Sequence, residues 1–344
     1  MALQILGVCA ALSFSYFSVA ALRWWALRAN VLDVPNKRSS HARATPRGGG
    51  AAIVVLVLIG WTPFTHLFGA FQVNATHGAF LLGGSLIAVV SWLDDLRGLS
   101  NRVRFTVHCL SAALLVAFAQ PWTEIILPWA GTVSLSWCAW PFTLMWIVGF
   151  TNTFNFMDGV DGIAGTQALI GGLAWASLGW RAGQPDIVAL GLLIAIGALG
   201  FLGHNWPPAR IFMGDVGSAF LGFALAALPL LSGAASPWAG IGADPITAGL
   251  LVWPFIGDAV FTFVRRWHAG ENVFAAHHSH LYQRLVITGL SHQQVTLLYG
   301  SLALSGVLFA QAWIAGVQVA VFGVIPLLLA LYCLVVSREA KQWR

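Results

Sequence analysis

Apolar runs of roughly 20 residues recur along the whole chain, each closed by a short polar break, and that is the length a helix needs to cross a hydrocarbon core. The pattern predicts eleven helices, at 3–24, 48–69, 78–93, 104–120, 134–151, 162–179, 187–204, 216–232, 246–264, 293–313 and 318–337. The polar breaks fall into two sets. Loops 25–47, 94–103, 152–161, 205–215 and 265–292, the tail 338–344 and the helix ends beside them hold 16 of the 17 Lys and Arg, leaving Arg181 on the other side. Basic residues stay cytoplasmic, so the pattern predicts the N-terminus outside and the C-terminus inside. The expected fold is all-α: a polytopic membrane helical bundle of about eleven spans, forming one domain over 1–344.

Composition agrees. Hydrophobic residues make up 58% of the chain and charged residues 8%, with a mean hydropathy of +0.79, where a soluble domain carries about 25% charged residues. The first run imitates a signal peptide but lacks a basic leader and a small-residue cleavage site, so it reads as a retained helix. Cys9, Cys109, Cys138 and Cys333 are scattered without metal-binding spacing and read as packed thiols. Tryptophans near segment ends, among them Trp24, Trp25, Trp61, Trp92, Trp122, Trp137, Trp180 and Trp206, fit an interfacial aromatic belt. The net charge of +5 orients helices and leaves a cationic rim for anionic head groups or phosphorylated substrates. It is not a nucleic-acid signal. No internal repeat is evident, which weakens a transporter built from duplicated halves.

Four of the inner loops carry more chemistry than helix ends require. In "WLDDLRGLSNRVRF", 92–105, Asp94 and Asp95 are adjacent, with Arg97, Arg102 and Arg104 following. Paired carboxylates at a membrane boundary call for a cation. Either a divalent ion such as Mg²⁺ supplies it, or the pair is a solvated helix end with an arginine partner. In "NTFNFMDGVDGIAG", Asn152, Asn155, Asp158 and Asp161 recur every three residues; a helix would bring them near one face. The bland reading is a turn with Asp161 capping the next helix. In "HNWPPARIFMGDVGS", 204–218, Asp215 opens a helix among glycines, either as a cap or as a place for a metal–phosphate unit. In "HAGENVFAAHHSHLYQRL", 268–285, His277, His278 and His280 cluster, with Arg284 beyond. They suit a transition metal or phosphate oxygens, and the hard carboxylate loops favour phosphate. The basic loop adds Lys37, Arg38, His41, Arg43 and Arg47 before Gly48–Gly50, and Asp258 lies inside the ninth predicted helix, a functional suspect or a partner of Arg265 or Arg266.

The set "DD" at 94–95, "NFMDGVDG", "NWPPARIFMGDVGS" and "HHSHLYQRL" resembles the polyprenyl-phosphate N-acetylhexosamine-1-phosphate transferases, relatives of the phospho-N-acetylmuramoyl-pentapeptide transferases. The basic loop and "HSHLYQRL" look most like the branch that initiates O-antigen or similar bacterial surface polysaccharides. The resemblance implies transfer of a sugar-1-phosphate from a UDP-N-acetyl amino sugar to undecaprenyl phosphate, at the cytoplasmic face of the inner membrane. UMP would be released, with Mg²⁺, or Mn²⁺ in its place, as cofactor. It also implies Asp94 and Asp95 at the lipid phosphate near the metal, and Asp215 as the main metal ligand with Asp95 beside it. Asn155, Asp158 and Asp161 would shape the nucleotide side, Asn205 and Phe212 would contact uracil, and His278 and His280 would lie near the diphosphate. Arg104, His277, Arg284, Lys37 and Arg47 complete the expected substrate contacts, and a homodimer is implied on family grounds alone. Two departures bear on the phosphate contacts. Arg104 stands where relatives carry lysine, and Leu281 where they carry a third histidine, for which His277 compensates in part. The competing function is an ion-coupled transporter or flippase, which would place carboxylates at mid-helix.

Overall fold

The computed structural model describes residues 1–35, 44–70, 72–233, 244–273 and 277–342. The chain runs through α1 (Ala2–Arg28), a two-residue ribbon β1 (Leu32–Asp33) and β2 (Thr45–Pro46), α2 (Ala51–Thr65), α3 (Ala75–Arg97) and α4 (Asn101–Ala119). A hairpin of β3 (Glu124–Leu127) and β4 (Gly131–Ser134) precedes α5 (Ala139–Met157), α6 (Ile163–Ala182), α7 (Pro185–Asn205) and α8 (Asp215–Leu231). Then follow α9 (Pro245–Leu251), α10 (Trp253–His268), α11 (Leu281–Ile287), α12 (His292–Ile314) and α13 (Val324–Gln342).

All eleven predicted segments have helical counterparts. Among the described residues, six helices are long and apolar enough to span a membrane, seven if α9 and α10 count as one broken span. α2 and α8 are shorter apolar helices, each carrying an internal proline, Pro63 and Pro229. The ninth segment is bent by 91° between α9 and α10. Pro254 has no N–H to return to the Leu250 carbonyl, so the helix breaks there. The fifth segment runs further than expected: α5 continues through Asn152 and Asn155 to Met157. Hairpin β3–β4 and short α11 have no counterpart in the hydrophobic pattern. Trp129 in the hairpin turn stacks on Phe322 with centroids 5.4 Å apart, and its amide donates to Gln318 Oε1 at 2.6 Å.

α8 is the axis of the bundle. Every residue from Val216 to Leu230 is buried, and a helix apolar on all sides is stable only when surrounded. It packs against α3 and α5 most heavily, and also against α2, α4, α6 and α7. α1 and α13 lie at the periphery, where side chains such as Leu6, Phe17, Ile325 and Leu329 are exposed, an apolar surface suited to lipid. Polar residues gather instead at one end of α3, α4, α5 and α8.

Candidate active site

The site begins with how α8 starts. An isolated helix leaves its first N–H groups unpaired, and here the acceptor comes from a different helix. Asp95, buried in the last turn of α3, accepts the Asp215 amide on Oδ1 and the Val216 amide on Oδ2, each at 3.1 Å. Gly214 precedes them with φ +77°, and a Cβ there would stand 2.7 Å from Asp95 Oδ2. A second clamp comes from the glycine loop. Phe212 N donates to Pro46 O at 2.8 Å, while Gly49 N and Gly50 N donate to Phe212 O and Met213 O at 2.9 Å. Gly50 and Gly217 then touch so closely that a Cβ on either would collide with the other's Cα. Arg47 in this loop donates to the Asp95 carbonyl and holds Nη1 3.9 Å from its carboxylate.

Around that frame the chemistry-bearing groups converge. Arg104, one turn into α4, points a single nitrogen at two carboxylates: Nη1 lies 2.7 Å from Asp94 Oδ2 and 2.6 Å from Asp215 Oδ2. Asn101 Oδ1 accepts from its Nη2 at 2.6 Å, and the other Asp94 oxygen accepts the Leu99 amide. Asn155 reaches over from α5, its Nδ2 donating to Asp215 Oδ1 at 3.0 Å and to Ser218 Oγ at 2.9 Å. Ser218, four residues after Gly214 on α8, was not anticipated. Its only sequence signal was its place in "GDVGS".

The residues fit a divalent cation. Asp94 and Asp215 present hard oxygens that already converge on one positive atom, the donor type Mg²⁺ takes. Among the described residues no group of three or more His, Cys, Asp or Glu forms a ready metal cage, and Mg²⁺ usually keeps waters and substrate phosphates instead. Asp95 has a structural task as well: each of its oxygens accepts a backbone amide, so it positions the start of α8.

The two aspartates of "MDGVDG" are also sorted. Asp161 is tied into the scaffold: Oδ2 accepts the Ala209 amide at 3.0 Å and lies 3.2 Å from His292 Nδ1, while its carbonyl accepts the Thr296 hydroxyl at 2.6 Å. It does not cap α6, whose N-cap is Gly162. Asp158 closes the C-terminus of α5, and its carboxylate has no hydrogen-bond or ionic partner among the described residues. Burial, then the negative charges of Asp215, Asp95 and Asp161, push its carboxyl well above the usual range.

Other expected contacts are engaged elsewhere. Asn205 is buried with both amide ends engaged, Oδ1 by Gly162 N at 2.8 Å and Nδ2 by Ile211 O at 2.9 Å. Arg284 forms a two-pronged pair with Glu339 on α13, at 2.8 and 2.5 Å, so it braces α11 rather than meeting phosphate. Phe212 is half-buried beside the clamp. Lys37 lies outside the described residues.

In the histidine loop, His278 is half-buried, and His277 bonds through Nδ1 to the Ser279 hydroxyl at 2.9 Å. Burial first, then the positive charges around it, lower the His277 ring to about 4. His280 is buried against Asp258 at 3.2 Å, so Asp258 pairs with neither Arg265 nor Arg266. Those two brace the loop, Arg265 on Ser279 O at 2.8 Å and Arg266 on Glu271 at 2.7 Å. The loop reaches the carboxylates through Tyr282, whose hydroxyl donates to Phe156 O at 2.9 Å, two residues before Asp158.

The model of the family described as Glycosyl transferase family 4 matches residues 77–233. The chain is 32% identical over 280 residues to a probable undecaprenyl-phosphate N-acetylglucosaminyl 1-phosphate transferase of Bacillus subtilis (strain 168), covering 79% of this chain and 74% of that one. It is 31% identical over 320 residues to a decaprenyl-phosphate N-acetylglucosaminephosphotransferase of Mycobacterium tuberculosis (strain ATCC 25618 / H37Rv), covering 86% and 78%. A phospho-N-acetylmuramoyl-pentapeptide-transferase of Synechococcus sp. (strain JA-3-3Ab) is 31% identical over 323 residues, 88% of each chain.

Proposed function

This chain belongs to glycosyl transferase family 4, and from that premise we propose that it moves N-acetylhexosamine-1-phosphate from a UDP-N-acetyl amino sugar to undecaprenyl phosphate. A phosphate oxygen of the lipid forms a bond to the sugar-bearing phosphorus of the donor, and the bond from that phosphorus to UMP breaks. The products are a diphospholipid-linked sugar and UMP, the initiating step of O-antigen or a related bacterial surface polysaccharide. The reaction runs at the cytoplasmic face of the inner membrane, with the N-terminus outside and the C-terminus inside.

One observation carries the reading: Asp94 and Asp215 converge on a single cationic nitrogen of Arg104, beside a carboxylate, Asp158, that has no partner among the described residues. Phosphoryl transfer between two anions is chiefly a matter of positioning and charge neutralisation. Asp94 and Asp215 are the residues that would hold Mg²⁺ or Mn²⁺. Bound there, the ion would neutralise phosphate oxygens of donor and acceptor.

Each side chain has a defined task. Asn155, itself steadied by Ser218, fixes the rotamer of Asp215, and Asp95 fixes where α8 begins. Arg104 supplies positive charge to the same oxygens and is able to turn to a substrate phosphate. A phosphate monoester is largely ionised at neutral pH, its second pKa being about 6, so Asp94 needs only to position the lipid phosphate or act as a weak base. Asp158, whose carboxyl is pushed well above the usual range by burial and the neighbouring carboxylates, would offer a hydrogen bond to an anionic oxygen when it carries its proton. His277, uncharged at neutral pH, and His278 provide further polar contacts on the diphosphate side. An ion-coupled transporter draws no comparable support, since these carboxylates gather at helix ends rather than at mid-span.

The test is UMP release from purified protein given undecaprenyl phosphate, Mg²⁺ and a panel of UDP-GlcNAc, UDP-FucNAc and UDP-QuiNAc. Turnover with at least one donor is expected, and Asp215→Ala should lower it by about 10³-fold or more, the scale of losing a main charge-stabilising group. Full turnover in excess chelator would remove the metal from the reading.

A further inference from the structure

Asp258 sits on α10 with no exposed surface, yet five donors meet its two oxygens. Oδ1 takes the Leu281 amide at 2.8 Å, the Thr262 hydroxyl at 3.0 Å and His280 Nδ1 at 3.2 Å. Oδ2 takes the Tyr299 hydroxyl at 2.6 Å and the Tyr282 amide at 3.1 Å. A buried carboxylate is tolerated only when its charge is met by such donors. Three of the five come from the consecutive residues 280, 281 and 282. Asp258 therefore anchors the point where the histidine loop becomes α11.

The arrangement has a chemical consequence beyond anchoring. A carboxylate accepting from Nδ1 holds the ring proton on that nitrogen and leaves Nε2 as the other face of the imidazole. His280 Nε2 has no hydrogen-bond partner among the described residues. The ring is packed between His277, with centroids 4.9 Å apart, and Tyr282, at 5.8 Å. Tyr282 in turn is bonded to the backbone just before Asp158. Arg265, seven residues after Asp258 and so on the same face of α10, ties down the carbonyl of Ser279, the residue before His280. One face of one helix thus sets the position of His280 and aims a carboxylate at its Nδ1.

We propose that Asp258 is the positioning residue for His280, fixing its proton on Nδ1 so that Nε2 is presented to a phosphate oxygen of the substrate. The proposal rests on the transferase reading, because only that reading puts a phosphate there. Asp258 itself touches no substrate and acts through the imidazole.

The experiment has two arms. In the first, the full chain labelled with ¹⁵N-histidine is examined by NMR in detergent, with the His280 signals assigned by their loss in His280→Gln. The wild type should show His280 protonated on Nδ1, and Asp258→Asn should redistribute the proton toward Nε2. A wild-type ring protonated on Nε2 alone overturns the proposal, and needs no Asp258 variant to fold. In the second arm, kcat for UMP release is compared among wild type, Asp258→Asn, His280→Gln and the double variant. His280→Gln should lower kcat by about 10²-fold or more, the usual scale for a proton-handling group. Asp258→Asn should lower kcat with little change in KM, and the double variant should be no slower than the slower single one. Fully multiplicative losses would mean that Asp258 acts independently of His280 and would overturn the proposal. If no nucleotide sugar yields UMP with wild-type protein, the transferase reading fails, while the NMR arm still decides the tautomer.

Discussion

Asp158 and Asp161 stand three residues apart in one short loop, and their neighbours give them separate work. Asp161 holds the Ala209 amide and His292, so Asp161→Asn should cost about 1–3 kcal/mol of stability with KM for the nucleotide sugar nearly unchanged. Thermal unfolding and steady-state kinetics check both halves. Asp158 has no such ties. Its folded form keeps a proton to higher pH than the unfolded chain, whose carboxyl titrates near about 3.9, because burial and three nearby carboxylates oppose its charge. Between those two values the folded state binds more protons, so its contribution to stability falls as pH rises through the window. Asp158→Asn copies the neutral form. It should flatten that decline and lower turnover, and a variant whose unfolding temperature falls with pH as steeply as the wild type would refute the assignment. His277 has the opposite sign: its ring is lowered to about 4, so the stability it contributes is lost as pH falls from about 6.5 toward that value.

At the scale of elements, α2 and α8 meet at Gly50 and Gly217, and the contact sets where Asp215 stands. Gly217→Ala would force the two helix starts apart at about 1–3 kcal/mol, the usual cost of overpacking. A lower unfolding temperature together with reduced UMP release is the expected result. The helices themselves were readable from apolar run length, because a span must be long, apolar and bounded whatever it packs against. The break between α9 and α10 carried a visible sign, Pro254, that run length alone overrode. Hairpin β3–β4 and α11 were not readable, since neither is long enough to leave a hydrophobic signature. At the site, adjacency in sequence singled out Asp94 and Asp95, while Asp215 stood out by its place among glycines at a helix start on the same membrane side. The division of labour among them depends on pairings across more than a hundred residues, such as Asp95 with Val216 and Arg104 with Asp215. The ties of Asn205 to Gly162 and of Arg284 to Glu339 were hidden for the same reason, since only the fold brings those partners near.

Across the whole molecule, charge is distributed as strongly as hydropathy. If the basic loops face the cytoplasm, a cysteine placed at Arg181 should react with a membrane-impermeant maleimide from the outer side of intact spheroplasts. One placed at Lys341 should react only after the membrane is opened. The four native cysteines are unpaired and would first be replaced. Equal labelling at both positions would contradict the orientation.

The Arg104 bridge bears on how such a protein is kept between uses. A centre of bare carboxylates would repel itself once stripped of ions, and small metal domains often unfold when chelated. Here the chain brings its own counter-ion on a side chain from α4. Chelation should therefore yield a dormant protein with an almost unchanged melting temperature, revived by returning Mg²⁺. Arg104→Ala should forfeit that reserve, melting earlier in chelator while binding Mn²⁺ more tightly in an electron paramagnetic resonance titration.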